Sequence, residues 1–89
     1  MNYCTLIEFQ HDSIELAGTA PGQIITRIID SIDGLVKVTG YRACYEQVKV
    51  SRQRADFIAQ ALAIGGIPWE SVQVYDGGIG RPVCCISVN

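Results

Sequence analysis

The spacing of apolar residues changes period several times along the chain, and each change marks an element. From Tyr3 to Phe9 the chain alternates, with Tyr3, Thr5, Ile7 and Phe9 on one side and Cys4, Leu6 and Glu8 on the other, as in a β-strand. From Pro21 the spacing lengthens. Ile24, Ile25, Ile28, Ile29 and Ile32 stand at i, i+1, i+4, i+5 and i+8, which is one face of a helix. Pro21, after Thr19 and Ala20, suits a first helical turn, and Asp33-Gly34 ends the helix. Leu35 to Tyr41 returns to period two, Leu35, Lys37 and Thr39 opposing Val36, Val38 and Gly40. Ser51 to Ile64 reads as a second helix, with Ser51 as N-cap and Ala55, Ile58, Ala59, Leu62 and Ala63 as its apolar stripe. Gly65-Gly66 stop it. Val72 to Tyr75 then forms a third strand, Asp76 to Pro82 a glycine-rich turn, and Val83 to Val88 a last strand.

This order predicts an α/β fold of the α+β sandwich type, β-α-β-α-β-β, with one mixed sheet and two helices on one of its faces. Right-handed crossovers are expected through the helices, followed by a terminal hairpin. The second sheet face must be polar or covered by a partner domain. Trp69, after Pro68, is expected to pack on the second helix. A chain of 89 residues forms one domain, residues 1–89.

Composition narrows the function. The net charge is −2 and no run of Lys or Arg occurs, which argues against a nucleic-acid groove or an anionic membrane surface as partner. Two Phe, four Tyr and one Trp are too few and scattered for a base-stacking platform. No stretch approaches the roughly 20 apolar residues that span a bilayer. Met1 to Leu6 lacks the basic and apolar regions of a signal peptide, so a role outside the cytoplasm implies a removed signal or an excised domain. Cys4, Cys44, Cys84 and Cys85 have no C-x-x-C spacing, and with one histidine they give a zinc site little support. Buried free thiols are expected ahead of disulfides, and Cys84 and Cys85 should face opposite sides of their strand. No cofactor is implied. His11 is the sole histidine, and its pairing with Cys44 or Ser13 as a catalytic dyad is not expected, because no nucleophile elbow is present. Asp76 to Arg81 leads into a strand and lacks the phosphate-loop pattern, so it reads as a turn.

Four stretches together resemble the OmpA-like domain family, which tethers envelope proteins to the cell wall. Phe9-Gln10-His11-Asp12-Ser13-Ile14-Glu15-Leu16 is similar to the family's opening, Phe then Asp-Ser-x-x-Leu. Val36 to Tyr41 resembles V-x-V-x-G-H-T-D. Gln47 to Leu62, with Ser51, Arg54 and Ala55, resembles the helix signature N-x-x-L-S-x-x-R-A-x-x-V-x-x-x-L. Gly66-Ile67-Pro68, Val72, Val74, Gly78 and Arg81-Pro82 follow the closing pattern G-[IV]-x…V-x-V…G-Y-G-x-x-R-P. The resemblance covers residues 5 to 83. It implies a non-catalytic domain in the periplasm or associated with the outer membrane.

In that family an Asp after the second strand and the helix Arg hold diaminopimelate of the peptidoglycan stem. The Arg matches Arg54, but the Asp position holds Ala43 and the Asn position Gln47, while the loop into the helix is shorter than is typical. Diaminopimelate ends in a zwitterion, so the guanidinium serves its carboxylate and an anion must serve its ammonium. Losing half of that clamp costs on the order of 2–5 kcal/mol, roughly 30-fold or more in affinity. The resemblance therefore implies a degenerate site. Arg54, Asp12, Tyr41, Gln47, Ser51 and Glu46 are its candidate residues, with Asp12 or Glu46 replacing the lost acid. The structural alternative has Arg54 capping loop carbonyls or pairing with Asp12 or Asp56, and Tyr41 and Gln47 bracing the loop. Two functions follow as expectations: a protein-interaction module of a secretion or conjugation machine, or a cell-wall anchor using Arg54 and a relocated acid.

Overall fold

The computed structural model describes residues 3–18, 20–31 and 34–88. Its elements are β1 (Tyr3–Glu8), α1 (Ala20–Ser31), β2 (Val36–Arg42), α2 (Lys49–Ile64), a 3-10 turn (Trp69–Ser71), β3 (Val72–Ile79) and β4 (Val83–Val88). The expected element order is therefore the observed one. The sheet order is β1-β4-β2-β3, with β4 antiparallel to both its neighbours and β2 parallel to β3. This corrects the expected terminal hairpin: β3 runs on to Ile79 at the sheet edge, and β4 is inserted between β1 and β2. The short link Gly80–Pro82 passes the end of β2, where the Gly80 N–H donates to the Arg42 carbonyl (2.7 Å). It reaches β1, where the Phe9 N–H donates to the Pro82 carbonyl (3.0 Å).

Both periods place their apolar residues on one sheet face. Ile7 and Phe9, Val36 and Val38, and Cys84 and Ile86 come from the sheet. Ile25 and Ile28 from α1 and Ala55, Ile58 and Leu62 from α2 close over them, in one continuous core. The opposite face is mixed. Strand register aligns Leu6, Cys85, Thr39 and Tyr75 across it. Lys37 lies 4.9 Å from the Tyr75 ring centroid, and Tyr75 contacts Gln73 through its hydroxyl (3.3 Å).

Cys84 and Cys85 do face opposite sides, Cys84 being buried and Cys85 half-buried. Burial pushes the free Cys84 thiol up to about 12. Cys44 is also free but exposed. Cys85 is disulfide-bonded, against the expectation of free thiols. Trp69 is 58% exposed, and the 3-10 turn that carries it has no buried residue.

Gly40 fixes how closely α2 lies on the sheet. A Cβ there would collide with the Ser51 carbonyl oxygen and crowd Ala55. Beyond it, β3 carries one extra residue: Gly40 pairs with Asp76 but Tyr41 with Gly78. The Tyr41 ring lies on this glycine run, leaving no room for a Cβ at Gly77. Gly40 and the bulge thereby set the end of β2 against the first turns of α2, where the candidate residues lie.

Candidate functional site

α2 begins two residues earlier than expected. Its N-cap is Val48, whose side chain makes no capping bond, and Ser51 stands inside the first turn. The N-cap role of Ser51 is thus corrected: its buried hydroxyl stands between two acceptors, the Val48 carbonyl (3.2 Å) and the Asp76 carboxylate, and its one proton serves one of them at a time. That Ser51 bond, followed by one from the Gly78 amide, holds the Asp76 carboxyl below its ordinary value.

The buried side of α2 consists of Val50, Ser51, Arg54, Ala55, Ile58, Ala59 and Leu62. Arg54 therefore enters the core, and its relative exposure is 0%. Its Nε donates to the Ser13 carbonyl (3.1 Å). One terminal nitrogen donates to the Tyr41 carbonyl (3.0 Å) and Glu46 Oε1 (2.8 Å). The other donates to the Gln10 carbonyl (3.1 Å) and Glu46 Oε2 (2.5 Å). A guanidinium has five N–H groups, and all five are used. The cation also lies 5.3 Å from the Phe9 ring centroid.

Glu46 is equally complete. Its Oε1 accepts from the Ala43 N–H (2.7 Å) and its Oε2 from the Asp12 N–H (2.5 Å), in addition to the two bonds from Arg54. Foremost the Arg54 hydrogen bonds lower its pKa from 4.5 to about 2, against the opposing effect of burial. The ion pair is fully buried on both sides. A buried charge is tolerable only with such a complete set of partners.

Asp12 sits in the left-handed region (φ 51°), where a short polar side chain is accepted. This turn aims its N–H at Glu46 while its carboxylate accepts from the Gln47 backbone (3.0 Å) and side chain (3.2 Å). Gln47 thus braces the loop. Tyr41 contributes its carbonyl to Arg54, and its ring packs away on Gly77 of β3 and Gly80 just beyond it.

Of the six candidates, Arg54, Glu46, Asp12, Gln47 and the Tyr41 backbone converge, while Ser51 bonds elsewhere. Arg54 does cap loop carbonyls, but its acid is Glu46. Asp12 binds Gln47, and Asp56 pairs with Arg52 on the exposed side of α2 (3.2 Å). Sequence reasoning missed the carbonyls of Gln10 and Ser13 and the amides of Asp12 and Ala43, because backbone groups carry no residue signature. One signal was available for the burial of Arg54: it precedes Ile58 and Leu62 by four and eight residues, on the same stripe. Beside this cluster an open depression of about 210 Å³ is lined by Ile14, Gln53, Asp56, Phe57 and Gln60. Among the described residues no group of His, Cys, Asp and Glu is placed to hold a metal, and no helix is long and apolar enough to cross a membrane.

No protein-family model matches the sequence, and no curated protein does. Solved structures do match. The OmpA-like domain of FopA1 from Francisella tularensis subsp. tularensis SCHU S4 superposes with a TM-score of 0.80 at 20% identity, covering 98% of this chain and 71% of that one. An outer membrane protein from Borrelia burgdorferi B31 superposes with a TM-score of 0.68 at 12% identity, covering 98% and 86%. The chain has the fold of an OmpA-like domain.

Proposed function

We propose that this is a non-catalytic cell-envelope domain whose diaminopimelate site is closed from within, and that it works as a protein-interaction module in an envelope-spanning assembly. The observation that carries this reading is the complete use of Arg54 by its own chain. A stem-peptide carboxylate finds no free N–H on it. At the position where the resemblance puts an acid for the ammonium, Ala43 offers a buried methyl. The end of the domain away from Arg54, where α2 finishes and β2 and β3 begin, leaves Leu35, Ile64 and Trp69 exposed. Apolar side chains of this size at one end suit contact with another protein better than water. The domain's place would be the periplasm or the outer membrane, with secretion or conjugation machines as the class of assembly.

A second reading is favoured by Glu46 standing beside Arg54: a peptidoglycan anchor that uses a relocated acid. It requires the ligand to displace Glu46 first. Titrating the ¹⁵N-labelled domain with diaminopimelate-containing muropeptides separates the two. The closed-site reading expects no shifts at millimolar ligand. Saturable shifts at Asp12, Ala43 and Gln47, absent with lysine-containing muropeptides, would replace it with the anchor.

A further inference from the structure

The sheet order β1-β4-β2-β3 leaves β3 paired on one side only. The two halves of this edge differ. From Asp76 onward it closes itself off: β3 carries its extra residue there, Gly78 has a positive φ (75°), and the Gly78 N–H donates to the Asp76 carboxylate (2.9 Å). Val72 to Tyr75 has no such guard. It is uncharged and free of proline. Among the described residues its only backbone group bonded outside the sheet is the Val72 N–H, which donates to the Trp69 carbonyl. The opposite edge, β1, carries Glu8 in an ion pair with Arg81 (3.5 Å). Unpaired backbone at a sheet edge is a template for another strand.

We propose that Val72 to Tyr75 pairs antiparallel with the same segment of a second copy of this chain, about a two-fold axis through Gln73. The occupant follows from the segment's own register. With Gln73 facing its counterpart, Val72 of each copy faces Val74 of the other, and Tyr75 faces Ser71. Residues directly opposite share a sheet face, so the four valines gather on the helix side, where Val72 and Val74 pack against the core but are only partly buried. The added strand covers what remains of them. On the other face two exposed Gln73 carboxamides meet, each with a donor for the other's oxygen. Asp76, the only charge on β3, is turned to Ser51 and the Gly78 amide, so the axis brings no like charges together. Moving the axis to Val74 would set Val72 against Asp76 and break the match. The surface is thus complementary to itself, as a two-fold interface requires. The proposal stands on the sheet edge and is independent of the closed Arg54 site.

Sedimentation of the full chain from micromolar to millimolar concentration should show its mass rising toward twice that of the monomer, with the largest ¹⁵N–¹H shifts at Val72 to Tyr75. The register is read by cross-linking in a Cys44→Ser background, which removes the exposed free thiol. With Gln73→Cys added, the two Cα atoms face each other about 5 Å apart, within reach of a disulfide, and mild oxidation should give a covalent dimer. With Tyr75→Cys added instead, the two positions lie about 13 Å apart along the strands, and the chain should stay uncross-linked. Gln73→Lys sets two positive charges on the axis and should weaken the dimer by about fivefold, and mixing it with Gln73→Glu should restore the association. A chain that stays monomeric at millimolar concentration overturns the proposal, and so does equal cross-linking at the two positions. A dimer untouched by Gln73→Lys has its interface elsewhere and overturns it too. None of these results bears on muropeptide binding, so the envelope reading stands or falls separately.

Discussion

Replacing Glu46 with Gln would keep the shape of its side chain and remove the charge that Arg54 faces. The buried guanidinium would then lack its anion, and loss of one partner from a buried ion pair costs about 3–5 kcal/mol. The pH dependence follows from the lowered pKa. Because the folded-state value is depressed from 4.5 to about 2, the contribution is complete above about 4.5 and is lost as pH falls through 2. A shift of that size corresponds to a contribution on the order of 3 kcal/mol. Urea unfolding curves should therefore show wild type losing stability between pH 4.5 and 2, with Glu46→Gln less stable at pH 7 and flatter across that window. Parallel curves for the two proteins would mean that Glu46 is not the group that titrates. At this scale the sequence exposed Arg54 and Glu46 as candidates without pairing them. Their meeting depends on a loop that places Glu46 eight residues before Arg54 and on carbonyls from a segment some forty residues distant, which residue type alone does not report.

The elements were more legible than their neighbours in space. Period two and period 3.6 placed β1, α1, β2 and α2 close to their observed bounds, because each must bury one side. The place of β4 was not legible. The glycine-rich stretch Asp76 to Pro82 reads as a hairpin connection, yet β4 enters between β1 and β2, where Cys84 and Ile86 are both inaccessible to solvent. The value of Gly40 became clear only when α2 was seen against β2. Gly40→Ala should press its methyl into the Ser51 carbonyl and force α2 outward, which costs about 3 kcal/mol by overpacking. The same movement would drag Arg54 from its carbonyls, so chemical shifts of Gln10, Ser13 and Tyr41 should change along with the melting temperature. An unchanged stability for Gly40→Ala would mean that α2 can move off the sheet at no cost.

For the molecule as a whole, Cys84 supplies an internal probe of opening. It lies on β4, which is paired on both sides, and it belongs to the single core shared by sheet and helices. Thiolate is the reactive form, and with its pKa pushed up to about 12 the buried group has almost none at pH 8. Labelling by a maleimide therefore requires the sheet to open, and its rate follows the population of the open form when closing is fast. Cys44, free and exposed, should react at once in every variant and serve as the reference. Peptide mapping of the labelled protein should find Cys84 protected in the wild type. In Gly40→Ala, a loss of about 3 kcal/mol corresponds to labelling roughly 100-fold faster or more. If Cys84 labels at the wild-type rate while the melting temperature of Gly40→Ala falls, β4 opens locally. The sheet and the Arg54 cage would then not be one cooperative unit, and closure of the site by Glu46 would be a local property of its loops.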